Sequence, residues 1–173
     1  MRMYRSQVPR IAEDIINTFV LDGDIVVEQA FKEEAERDLR AIMEEYLRQE
    51  SKVVQETRRL MEQRQITYDK FGKVKAGVAD ELGHKTGDDG IRYIANQILE
   101  MFMYSNNVEE VFGEDRLMRK TLMRIFRKHL VEEADLDREV RGRLKNLRPG
   151  SEKWDIEYRR VMDEVRRKRG LTG

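Results

Sequence analysis

The chain has 173 residues, with 34 basic and 34 acidic side chains, two prolines and no cysteine. Its length suggests one domain, or two small ones sharing a core. The missing cysteine excludes disulfides, thiolate metal sites and a cysteine nucleophile. The zero net charge excludes a global attraction to nucleic acid or membrane.

At the N-terminus, Met1–Ser6 lacks the apolar segment of a secretory signal, so cytoplasm is the expected compartment. No apolar run is long enough for a membrane span, and no membrane partner is expected. Val8, Ile11, Ala12, Ile15, Ile16 and Phe19 recur at spacings of three and four, the pattern of an amphipathic helix. Asp22-Gly23-Asp24 breaks that helix, and Ile25, Val26 and Val27 form a short extended link. A long helix is expected over 28–64, about 55 Å at 1.5 Å per residue. Its stripe runs through Ala35, Leu39, Ile42, Met43, Tyr46 and Leu47 to Val53, Val54, Thr57, Leu60 and Met61. Its outer face offers the pairs Glu33–Arg37, Glu36–Arg40 and Glu44–Arg48. Thr67 is placed to cap a third helix with the stripe Phe71, Val74, Val78 and Leu82, which Gly83 ends. The run Gly83–Gly90 marks the division between an N-terminal half, residues 1–87, and a C-terminal half, residues 88–173.

A shift of 83 positions returns the same pattern without a gap. Ile11, Ala12, Ile15 and Phe19 meet the identical Ile94, Ala95, Ile98 and Phe102. Leu39, Ile42 and Leu47 meet Leu122, Ile125 and Leu130, and Val78, Asp80 and Glu81 meet Val161, Asp163 and Glu164. A tandem duplication is the reading. The fold class expected is all-α, with two similar multi-helix halves and a long amphipathic helix in the first. The halves then diverge. Leu99–Tyr104 is apolar almost all round, which predicts a helix buried on several faces. The counterpart of the long helix is expected to break near Val131–Asp135, with Asp135 capping a new one. Residues 1–90 hold 15 basic and 19 acidic side chains, net −4, and residues 91–173 hold the reverse, net +4.

Candidate chemistry is thin, and neither catalytic residues, metal ligands nor cofactor are expected. Glu81-x-x-His84 has the spacing of a di-metal bundle, but position 167, its counterpart of His84, is arginine. His84 reads better as a histidine favoured by a helix C-terminal dipole. Asp22-Gly-Asp24 fails as a calcium loop, because the fifth and sixth positions are Val26 and Val27. Gly83-His-Lys-Thr-Gly87 lacks the order of a phosphate-binding loop. The basic clusters survive: Arg116, Arg119, Lys120, Arg124, Arg127 and Lys128 on one helix, and Arg166, Arg167, Lys168 and Arg169 near the C-terminus. Such faces can contact the phosphates of RNA or DNA.

Met3–Ile15 and Glu34–Leu47 carry a further signal, as do Asn96–Met101, Val108–Asp115, Leu136–Arg141 and Trp154–Tyr158. Together they resemble the bacterial family designated domain of unknown function 507, across nearly the whole chain. The resemblance implies an all-helical bacterial protein and supplies no catalytic residues. Within it, Val108, Glu109, Glu110, Val111 and Phe112 set apolar side chains beside acids, the composition of a docking edge for a basic partner. The expected function is a non-enzymatic interaction or scaffold protein with a protein partner or a second copy of itself. The alternative is a nucleic-acid-binding protein using the basic face of its C-terminal half.

Overall fold

The computed structural model describes residues 1–173. It is all-α, with seven helices and one two-residue strand pair. In chain order these are α1 (Val8–Asp22), β1 (Ile25–Val26), α2 (Lys32–Gln63), α3 (Phe71–Glu81), α4 (Gly87–Tyr104), β2 (Glu110–Val111), α5 (Asp115–His129), α6 (Glu133–Arg143) and α7 (Glu152–Lys168). The strands pair antiparallel, Ile25 opposite Val111 and Val26 opposite Glu110.

The expected stripes build the core. Val8, Ile11, Ala12, Ile15, Ile16 and Phe19 of α1 are all buried. So are Ile91, Ile94, Ala95, Ile98, Leu99 and Phe102 of α4. These helices join the first part of α2 and all of α5 in one hydrophobic cluster that draws on both halves. α1 packs on α2 and α5, and α4 packs on α5 and α2. That set of pairings is unchanged when α1 is exchanged with α4 and α2 with α5. Phe19 and Phe102, 83 positions apart, meet edge to face with ring centroids 5.6 Å apart.

A second cluster joins Leu136, Val140 and Leu144 to Trp154, Tyr158, Val161 and Val165, and is closed by Tyr4 and Leu171 from the two ends of the chain. Ser151 caps α7, its hydroxyl accepting from Trp154 N at 3.2 Å. Residues near the two termini are tied together: Ser6 Oγ donates to Gly170 O, and Ser6 N donates to Thr172 O.

Several expectations are corrected. The long helix begins at Lys32, after a 3-10 turn at Gln29–Phe31. Of its three outer pairs, only Glu33–Arg37 forms, at 3.4 Å; Lys32 takes Glu36 and Arg48 takes Glu45. The chain breaks between α5 and α6 as expected, but Glu132 sits at the cap and Asp135 lies inside the first turn. At the break Arg2 N donates to Val131 O at 2.9 Å, so the N-terminal segment pairs with the chain where the helix is interrupted. Thr67 precedes the third helical segment, yet its hydroxyl donates to Asp69 Oδ1 and not to a backbone amide. The buried face of α3 is Lys75, Val78 and Ala79, while Leu82 is exposed. Lys75 turns this face inward to reach Glu50 Oε1 at 3.0 Å. Finally, α4 is not buried all round, because Tyr93, Met103 and Tyr104 face solvent.

Candidate functional site

α1 and α4 run to the same end of the molecule, where β1 and β2 pair and where α2 and α5 begin. Gly23 makes the turn possible. At φ +77° it adopts the left-handed conformation that closes α1, with Gly23 N bonded to Val20 O and Asp24 N to Phe19 O. Asp24 O then accepts from Phe112 N and Gly113 N, fastening the two turns together.

Eight of the eleven exposed large apolar side chains of the molecule belong to the segments at this end: Val20, Leu21, Val26, Phe31, Met103, Tyr104, Phe112 and Leu117. Leu21 is 86% exposed, Tyr104 85% and Phe112 66%. Isolated exposed apolar residues are ordinary, but concentration at one end is the mark of a contact surface. The same turns carry Asp22, Asp24, Glu28, Glu109, Glu110 and Glu114, none of which has a basic group within ion-pair distance. Of the residues expected to form a docking edge, Glu109, Glu110 and Phe112 lie on this surface. Val111 is partly covered against the core, and Val108 is buried within it.

The basic residues of α5 divide into two sets. Arg116, Lys120, Arg124 and Arg127 follow one exposed helix face at spacings of four, four and three, without ion-pair partners. Arg119 is held by Asp115 and Asn96, and Lys128 by Asp14 at 3.0 Å. The C-terminal run is mostly structural. Lys168 pairs with Glu164 and Arg169 with Glu139, while Arg166 reaches over the Tyr4 ring and only Arg167 is both exposed and unpaired. The structure therefore separates the ten basic candidates into one ordered stripe and a dispersed remainder.

A family model described as a protein of unknown function (DUF507) matches residues 1–171. The chain belongs to the DUF507 family. Among curated proteins, none matches it.

In this DUF507 protein the two histidines lie away from that end's turns, each beside a side chain of another helix. His84 follows the α3 end, its ring 4.7 Å from that of Tyr46. Burial pushes His84 below its ordinary pKa, with Glu50 opposing and Lys75 adding to the fall. The shift runs opposite to the rise that a helix C-terminal dipole gives, and its first cause is loss of solvent. His129 Nε2 lies 2.7 Å from Asp14 Oδ2, joining α5 to α1. Burial pushes the Asp14 carboxyl up, but bonds from His129 and Lys128 more than offset it and hold it below the usual range. No group of three or more His, Asp or Glu side chains is placed to hold a metal ion. No helix is long and apolar enough to cross a membrane. The sequence pointed to Glu109 and Glu110 but not to Leu21 or Tyr104. Their signal was present: both stand two residues past the paired Phe19 and Phe102, where the chain leaves the buried phase.

Proposed function

We propose that this DUF507 protein is a non-enzymatic interaction module that docks a basic protein surface on the end carrying β1 and β2. One observation carries the reading: exposed apolar side chains and unpaired carboxylates from both halves occupy the same turns. The apolar groups supply area to remove from water, and the carboxylates select and orient a cationic partner. Its expected setting is the bacterial cytoplasm. Reversing charge with E109K and E110K is expected to abolish partner capture while leaving the helical circular-dichroism signal unchanged. Unaltered capture by that folded variant contradicts the reading, and so does a strictly monomeric mass with no stoichiometric partner in a quantitative co-purification.

A second reading rests on a separate observation, the stripe of Arg116, Lys120, Arg124 and Arg127. Four cations without internal partners are available to phosphates, and binding through them weakens steeply as salt rises. Absence of RNA or DNA binding at low salt removes this reading and leaves the first untouched.

A further inference from the structure

At the far end of α2 from β1, a cavity of about 660 Å³ opens between the α2–α3 turn and α7. That volume lies within the range of small-molecule sites. Three arginines line it: Arg58 from α2, and Arg159 and Arg166 from α7. None of them has an ion-pair partner, although the adjacent Arg59 and Arg160 are held by Glu56 and Glu157 at 2.5 and 2.8 Å. Arg166 is half-buried, its guanidinium 5.8 Å over the Tyr4 ring, and it borders the cavity without a carboxylate partner. One wall is aromatic. Tyr68 and Phe71 stack at 5.0 Å, and the Arg159 guanidinium lies 4.6 Å over the Tyr68 ring.

The turn itself adds an independent sign. α1, α3 and α7 each end in the same hydrogen-bonded reversal, with Gly23, Gly83 or Gly170 in the left-handed position. α2 makes that reversal with Gln65, at φ +51°, the only non-glycine residue in the molecule with positive φ. A side chain there costs free energy that glycine does not, and such strain persists where the side chain has a use. Gln65 lines this cavity.

We propose that the cavity is a binding site for a small phosphorylated ligand with a planar aromatic group, of the size of a nucleoside mono- or diphosphate. Its phosphate is held among Arg58, Arg159 and Arg166, and its ring lies against the Tyr68–Phe71 wall. Gln65 reads a polar ring edge. Glu62 and Asp163, which also line the cavity, accept from hydroxyl or amino groups of the ligand. These two carboxylates offset much of the arginine charge, so phosphate alone is insufficient. The site lies at the opposite end of α2 from the proposed docking surface, and the two are tested separately.

The test is calorimetric titration of the full chain with AMP, GMP, ADP, GDP, adenosine and inorganic phosphate, together with thermal melts. At least one nucleotide is expected to bind and to raise Tm. Adenosine and inorganic phosphate are expected to bind at least tenfold more weakly than that nucleotide. The exposed double variant R58Q/R159Q is expected to lose at least tenfold in affinity with an unchanged ligand-free melt. Q65G is expected to raise the ligand-free Tm and to weaken binding, a pair of opposite effects that simple damage to the fold does not produce. The absence of nucleotide binding at millimolar concentration overturns the proposal, as does binding indifferent to R58Q/R159Q and Q65G.

Discussion

Phe19 and Phe102 are each almost fully buried and pack on one another, so the largest cluster depends on both. F102A is expected to lower unfolding stability by about 3–5 kcal/mol, read by urea denaturation. The result against this is a loss under about 1 kcal/mol, the scale of a side chain with little packing. His84 gives a pH signature. Its folded pKa is lowered from an unfolded value of about 6.5. The unfolded chain therefore binds a proton that the folded chain resists. Stability should be full above about pH 6.5 and decline as pH falls from there through the lower folded value. H84Q is expected to flatten Tm across that window; an unchanged slope contradicts the assignment. The Phe positions were legible in the sequence, because one period and one repeat both marked them. The His84 environment was not: its neighbour Tyr46 lies 38 positions away, and burial, which local spacing does not encode, decides the sign of the shift.

At the scale of elements, the long helix and its broken counterpart use the same buried phase. Leu39, Met43, Val53, Thr57 and Met61 of α2 stand 83 positions before Leu122, Phe126, Leu136, Val140 and Leu144, and all ten are buried. Apolar periodicity placed the five of α2 and Leu122, whereas Phe126, Val140 and Leu144 were not assigned to a buried stripe. The break between α5 and α6 was legible in position, but the backbone bond from Arg2 N to Val131 O that meets it, across 129 positions, was not. Lys75 was missed because a charged residue was not assigned to a buried stripe. It is 8% exposed and links α3 to α2 through Glu50, with Glu133 of α6 at 3.9 Å. K75M leaves Glu50 without its cation, and is expected to cost about 3 kcal/mol in urea denaturation. Adding E50Q should recover part of that loss. Equal stability of K75M and the native chain would show that this buried pair does not hold the elements together.

Across the whole molecule, buried positions recur at the 83-residue offset from α1 to α7, while one core is built from both halves. We propose tandem duplication as the origin of this arrangement, followed by divergence of the surfaces. The opposed net charges of the halves, plain in the sequence, are a poor guide to the surface. The acidic end draws on Asp22, Asp24 and Glu28 from one half and Glu109, Glu110 and Glu114 from the other. The pairing of β1 with β2, the bonds from Phe112 N and Gly113 N to Asp24 O and the packing of Phe19 on Phe102 bring them together, and contacts between such distant segments leave almost no local signal. The most direct measurement is affinity capture from the native cell, comparing the native chain with E109K/E110K and K120E/R124E, and identifying protein and nucleic acid in each. The account predicts a stoichiometric protein partner with a basic surface, resistant to nuclease, lost with E109K/E110K and retained with K120E/R124E. Capture that survives E109K/E110K, or that disappears with nuclease treatment, contradicts it.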